Sequence, residues 1–346
     1  MAGGEGTRLR PLTSNAPKPM LPIADRPMME HVINLLKRHG FTDIVVTVAF
    51  LANHIKTYFG DGSELGVTIR YVDEPVPLGT AGSVGNAREL LDDTFLVISG
   101  DVVTDIDLAQ VLDFHREKQA VATIGLTKVE NPLEFGIVIT RADGSIERFL
   151  EKPTWGQVFS DTINTGIYVL EPEIFDFVPQ GRPVDFSSEV FPALLAKGLP
   201  MFGAVAQGYW EDVGTLEAYL SAHKDVLDQK VVLDIPGFRI NDSVWMGEGA
   251  EVSPEAEIVG PVVIGPDCKV EAGCRLGEYT VLGSNVRLLP DVQLERTVLH
   301  DNVYVGNGTR MRGAVVGRSS SIRSNVRIDE GVVLGDEVFV GSVRCV

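Results

Sequence analysis

Val262-Val263-Ile264-Gly265-Pro266-Asp267-Cys268-Lys269-Val270-Glu271-Ala272-Gly273-Cys274-Arg275-Leu276-Gly277 carries an aliphatic residue at every sixth place. Ile264, Val270 and Leu276 belong to a longer series that begins with Met246, Val252 and Ile258 and continues through Leu282, Leu288 and Leu294. A second phase runs Val286, Val292, Val298, Tyr304, Arg310, Val316, Ile322, Ile328, Leu334 and Val340, with Arg310 its sole polar member. Gly follows the marked residue at Gly247, Gly265, Gly277, Gly283, Gly317, Gly335 and Gly341. A hexad is too short to bury a face alone, so successive hexads stack their strands on one another. The expectation is a left-handed parallel β-helix over residues 244–346. Cys268 and Cys274, six apart, take equivalent places and read as small, reduced, inward-facing residues.

Upstream the period changes. Helical patterns at Met28–His39, Leu108–Lys118 and Ser187–Ala196 alternate with β-rich runs at Ile44–Phe50, Val67–Val72, Phe95–Ser99, Ala122–Leu126 and Ile167–Leu170. Strands alternating with helices predict an α/β, Rossmann-like domain with a mostly parallel sheet, here residues 1–228. Such sheets collect ligands at the carboxyl ends of their strands. Residues 229–243, with Pro236 and Gly237, read as a linker.

Composition excludes several classes of function. The 346 residues carry 30 Lys and Arg against 48 Asp and Glu, a net charge of −18. So acidic a chain repels nucleic acid and anionic membranes, and no apolar run is long enough to span a bilayer. Three cysteines without metal-ligand spacing fit a reduced, cytoplasmic protein.

Positive charge is concentrated near the start, in Gly3-Gly4-Glu5-Gly6-Thr7-Arg8-Leu9-Arg10-Pro11-Leu12-Thr13 and Pro17-Lys18-Pro19-Met20-Leu21-Pro22. Gly3, Gly4 and Gly6 let backbone N–H groups approach a phosphate chain, and Arg8 and Lys18 bring cations to the same place. Pro17 and Pro19 restrain the backbone around Lys18.

The whole string resembles the signature of the sugar-1-phosphate nucleotidyltransferases. Later segments agree in order: Leu78-Gly79-Thr80-Ala81-Gly82, Gly100-Asp101, Phe135-Gly136, Glu151-Lys152-Pro153, Asn164-Thr165-Gly166 and Trp210-Glu211-Asp212-Val213-Gly214-Thr215. The resemblance implies transfer of a nucleotidyl group from an NTP to a sugar 1-phosphate, with GTP and mannose 1-phosphate favoured. UTP or dTTP with glucose 1-phosphate is the alternative, and a non-catalytic nucleotide-sugar-binding subunit is a second. A hexad acyltransferase is a third, but His300 is the tail's single histidine and suits a turn better.

By the same resemblance, Arg8 neutralises the leaving pyrophosphate and Lys18 holds the triphosphate or the attacking phosphate. Asp101 and Asp212 hold Mg²⁺. Gly136, Glu151, Lys152 and Asn164 bind the sugar phosphate, and Gly79 and Thr80 flank the base. Glu74, just upstream, is the candidate reader of guanine, because a carboxylate accepts both N1–H and the 2-amino group. A phosphate oxygen is already ionised at neutral pH, so no general base is needed. The family also carries an apolar strand ahead of its glycine loop. Only Met1 and Ala2 precede it here, so the first strand is expected to be missing. The tail suggests a homo-oligomer.

Overall fold

The computed structural model describes residues 1–4, 6–129, 131–132, 135–151 and 161–341, with Leu150 and Glu151 by backbone alone. Contacts divide the chain into two compact units, Met1–Gly4 with Val32–Trp210, and Glu5–His31 with Glu211–Val346. In chain order the first elements are a hairpin, β1 (Pro22–Ile23) and β2 (Arg26–Pro27), and helix α1 (Met28–Arg38). Ala24 and Asp25 turn the hairpin at φ 48° and 69°. Glu30 in the first turn of α1 and Lys37 and Arg38 in its last suit the helix dipole.

The first unit is the α/β body. Its elements are β3 (Asp43–Val48), α2 (Ala52–Phe59), β4 (Thr68–Asp73), α3 (Gly79–Asn86), β5 (Phe95–Val97), β6 (Val102–Thr104), α4 (Leu108–Lys118) and β7 (Ala122–Lys128). After these come β8 (Gly136–Thr140), β9 (Ile146–Glu151), β10 (Thr162–Leu170), α5 (Phe191–Ala196) and β11 (Met201–Val205). β3 and β4 pair in parallel, as do β7 and β11. The larger sheet has the order β11-β7-β10-β8-β9, with β5 also on β10, and β10 runs against its neighbours. Asp107 starts α4 by accepting Gln110 N–H at 3.1 Å, an N-cap worth about 1 kcal/mol. Tyr168, Phe186 and Phe191 form an aromatic knot in the core, with ring centroids 5.1–5.3 Å apart.

Met1 and Ala2 occupy the slot where a strand was expected to be missing. Ala2 N–H donates to Thr47 O on β3 at 3.0 Å and bridges Val48 in parallel. On the other side the Met1 amine donates to Ile98 O at 2.8 Å, and Gly100 N–H to Met1 O at 2.9 Å. Burial lowers the pKa of that amine. Two residues thus supply the hydrogen bonds that link β3 to the chain beyond β5.

The second unit is built on the β-helix. Its strands stack in three parallel sheets, with Ile264, Val270 and Leu276 pointing inward on successive faces of one coil. Coils repeat every 18 residues between Ile264 and Leu282, but every 17 from Leu282 to Leu299 and from Leu299 to Val316. One residue is lost at a corner each time, so the second hexad phase is out of step there. Leu299, Val305 and Met311 fill the interior, while Tyr304 and Arg310 turn outward. One corner of successive coils is left-handed, with Asp267, Asn285, Asn302, Ser319 and Glu337 at φ 55–59°. Asn and Asp tolerate that region better than other side chains, and Asn285 Nδ2 donates to Asn302 Oδ1 at 2.8 Å.

Cys268 and Cys274 are buried free thiols, and burial pushes the Cys268 thiol up to about 12. Within the expected linker, β12 (Phe238–Asn241) pairs antiparallel with Val244–Met246, so this part of it is sheet rather than tether. No helix among the described residues is long and apolar enough to cross a membrane.

The hairpin and helix α6 (Leu216–Leu227) belong to this same unit. Tyr219 OH donates to Pro22 O at 2.6 Å and meets His300 Nε2 at 3.0 Å. His300 is therefore a buried structural group, and burial pushes its pKa down to about 3. Arg318 Nη2 reaches Met20 O at 3.5 Å.

Candidate functional site

In the second unit Arg8, Lys18 and Asp212 come together although Lys18 and Asp212 stand 194 residues apart in sequence. Gly6 lies at φ 61°, and a Cβ there would stand 2.9 Å from Lys18 Cβ, so only glycine lets the loop close on the lysine. Thr13 Oγ1 ties the loop back by donating to Gly6 O at 2.8 Å. Pro17 is extended and leads into a single 3₁₀ turn, Lys18–Met20, which holds Lys18 largely buried. Its Nζ lies 3.1 Å from Asp212 Oδ1. Asp212 ends a short strand, Gly214 N–H donates to Asp212 O at 2.8 Å, and Thr215 caps α6 by accepting Ala218 N–H at 3.1 Å.

Gly214 is the space between the charges. A Cβ built on it would lie 3.0 Å from Arg8 Nη2 and 3.2 Å from Asp212 Oδ2. The absent side chain lets that carboxylate oxygen and the guanidinium both come close to the same side of Gly214. Next door, burial raises the pKa of Glu211, with the charges of Asp225 and Asp212 adding to it.

The first unit holds the remaining candidates. Gly3 lies over Glu74, whose oxygens would be 3.6 and 3.8 Å from a Cβ at Gly3, whereas Gly4 has nothing within 4 Å of the same position. Glu74 is buried and accepts a short hydrogen bond from Ser83 Oγ and a longer one, 3.4 Å, from Leu78 N–H. It braces the start of α3 and leaves lone pairs for a ligand. Gly79 sits at φ 71° with Val184 O 2.6 Å from its would-be Cβ, so no other residue fits. Thr80 Oγ1 donates to Asp185 Oδ2 at 2.7 Å and accepts Phe186 N–H at 2.9 Å. Asp101 follows Gly100 at the Met1 seam, close enough for its charge to act on the Met1 amine.

For the candidates Gly136, Glu151 and Asn164, register decides proximity. Gly136 pairs with Glu151 across β8 and β9, and Ile137 with Ile163 across β8 and β10, so Gly136, Glu151 and Asn164 share one end of three neighbouring strands. Asn164 holds a bulge: its Oδ1 accepts Gly166 N–H at 2.9 Å, and its Nδ2 donates to Tyr168 OH and Ser187 Oγ, both at 3.1 Å. Trp210 Nε1 donates to Thr165 O at 2.9 Å and packs edge-on against Phe135. Lys152 lies outside the described residues.

Sequence reasoning missed Ser83, Thr13 and the role of Gly214. Thr13 and Gly214 stand inside the quoted motifs, while Ser83 had no signal of its own. Among the described residues no three His, Cys, Asp or Glu side chains gather as a metal cluster. Asp101 belongs to the first unit and Asp212 to the second, and carboxylate oxygens such as theirs are the hard donors that a divalent ion takes.

An α/β body with a glycine loop, paired cations and a β-helix tail defines a sugar-1-phosphate nucleotidyltransferase. The chain belongs to the nucleotidyl transferase family, which it matches over residues 1–229, and residues 258–346 match the GMPPB C-terminal domain. It is 40% identical over 303 residues to a mannose-1-phosphate guanylyltransferase of Mycobacterium tuberculosis, covering 86% of this chain and 82% of that protein. A UTP–glucose-1-phosphate uridylyltransferase of Synechocystis is 36% identical over 346 residues, covering 95% and 89%. HddC of Yersinia pseudotuberculosis superposes with a TM-score of 0.57 at 24% identity, over 65% of this chain and 96% of that one, which speaks to fold alone.

Proposed function

We propose that this enzyme transfers the guanylyl group of GTP to mannose 1-phosphate, releasing pyrophosphate. The choice of sugar and base is supported by the tail's match to the GMPPB C-terminal domain together with the 40% identity to a mannose-1-phosphate guanylyltransferase. Similarity to the uridylyltransferase keeps UTP with glucose 1-phosphate as the second reading.

The reaction brings two polyanions together, so cations and alignment supply most of the catalysis. Lys18, held at Asp212, exchanges that carboxylate for phosphate oxygens when substrate enters. Arg8, beside Gly214, takes up charge on the departing pyrophosphate. Backbone N–H groups at Gly3, Gly4 and Gly6 follow the triphosphate. Mg²⁺ held by Asp101 and Asp212 would neutralise phosphate charge. Glu74 accepts the guanine donors beside Gly79 and Thr80, while Gly136, Glu151, Lys152 and Asn164 hold the sugar phosphate. A homo-oligomer working in the cytoplasm completes the reading.

The test is turnover of GTP, UTP, dTTP and ATP, each with mannose 1-phosphate and glucose 1-phosphate. GTP with mannose 1-phosphate should give the highest kcat/KM, by about tenfold or more. A faster UTP and glucose 1-phosphate pair overturns the substrate assignment. No turnover with any pair leaves a nucleotide-sugar-binding subunit.

A further inference from the structure

One flank of the β-helix carries two columns of outward side chains. Glu257, Arg275, Gln293, Arg310 and Arg327 stand in register on successive strands. Gly277, Glu295, Arg312 and Asp329 follow two residues later on the same strands. A groove of about 570 Å³ runs between the columns, within the usual range for small-molecule sites of roughly 300–1,000 Å³.

Its charges are not evenly settled. Arg327 Nε donates to Asp329 Oδ1 at 3.0 Å, Arg312 Nε lies 3.5 Å from Glu295 Oε1, and Arg275 Nε lies 3.6 Å from Glu257 Oε2. Arg310 is exposed and has no such partner among the described residues. It also stands directly beside Arg327, one strand spacing of about 4.8 Å away. Like charges in register destabilise a sheet. Glu295 and Asp329 engage Arg312 and Arg327, so of the three guanidiniums at this end of the groove Arg310 is the one whose charge is left over.

We propose that this end of the groove binds a phosphorylated small molecule, its phosphoryl group held by Arg310, Arg312 and Arg327. The rest of the ligand lies past Gln293 toward Gly277 and Arg275. Guanidinium forks match phosphate oxygens in geometry as well as charge. Glu278, Glu295 and Asp329 share the groove and oppose a long polyanion such as nucleic acid, so a compact ligand is selected. None of these residues belongs to the glycine loop or to the Arg8, Lys18 and Asp212 cluster.

Calorimetry with the full chain and metal-free inorganic tripolyphosphate tests this, comparing wild type, R310Q/R327Q and K18Q. Wild type should bind two equivalents, one at the glycine loop and one in the groove. R310Q/R327Q should lose the groove equivalent or weaken it by about thirtyfold. Its kcat should stay unchanged, and its melting temperature without anion should be no lower than wild type, because a like-charged pair is gone. K18Q should weaken the other equivalent and keep the groove. Equal stoichiometry and affinity in wild type and R310Q/R327Q, or a double variant that melts lower, overturns the proposal.

Discussion

Replacing Gly214 by alanine adds a single methyl between Arg8 and Asp212, the two groups proposed to meet the phosphates. That carbon would lie 3.0 Å from Arg8 Nη2 and 3.2 Å from Asp212 Oδ2. Comfortable contact begins at about 3.5 Å, so the guanidinium and the carboxylate must each retreat by about 0.3–0.5 Å. Gly214 is not among the left-handed glycines, so the backbone accepts alanine and the perturbation stays local. A misplacement of about 1 Å can cost a hundredfold in rate. Half that distance predicts a five- to thirtyfold lower kcat, about 1–2 kcal/mol. The melting temperature should move by less than about 2 °C, since no core contact is lost. Steady-state pyrophosphate release at saturating substrates, with a thermal melt of the same sample, reads both quantities. An unchanged kcat would refute the placement of Arg8 and Asp212 at the phosphates. A large fall in melting temperature would mean that Gly214 serves packing instead.

Asp25 is held by burial, reinforced by Asp301, at a pKa of about 8, far above its ordinary value. A raised carboxylate stabilises the folded state at low pH and loses that contribution as pH climbs from about 4 through 8. Asp25→Asn, which keeps the left-handed turn, should therefore raise the melting temperature by about 2–6 °C at pH 8.5 and have little effect at pH 4.5; equal shifts at both would refute it. His223 and His300 are both pushed down to about 3 by burial, so stability should fall as pH drops below about 6.5, where the unfolded chain takes up protons that the folded chain excludes. His300→Gln should flatten that acid limb in pH-dependent melts; a slope identical to wild type would contradict it. Glu74→Gln leaves one acceptor for the Ser83 hydroxyl and Leu78 N–H, so the melting temperature should drop by a few degrees. If Glu74 also reads guanine, the GTP over UTP preference should shrink about tenfold or more; a constant preference would make Glu74 a brace alone.

How much of this was legible depends on the range of the interaction. Hexads showed the β-helix because each inward residue is set by its own short strand. The two shortened coils were not visible in the same way, since dropping a corner residue leaves the aliphatic spacing almost intact. Tyr304 and Arg310 were therefore assigned inward when Val305 and Met311 hold those places. At the glycine loop, the closeness of Gly6 to Lys18 followed from the motif, because both stand within one short stretch of chain. The partner of Lys18 lies 194 residues away, and no local pattern announces such a contact. Asn164 and Glu74 show the opposite limit: each was read as facing ligand, and each spends hydrogen bonds on its own fold.

In sequence the tail looks like a detachable module, with one family match ending at residue 229 and the next beginning at 258. The compact units are cut elsewhere: the segment carrying Arg8 and Lys18 is housed with the β-helix, stitched to it through Pro22, Tyr219 and His300. A gene that traded its tail for another would also trade the floor beneath its glycine loop. Recombination at the linker is then not neutral, and a working chimera must inherit the hairpin, α6 and the coils that carry His300 and Arg318 as a matched set. Trimming coils from the far end is no freer, because Arg318 reaches Met20 and Gly335 lies against Pro11.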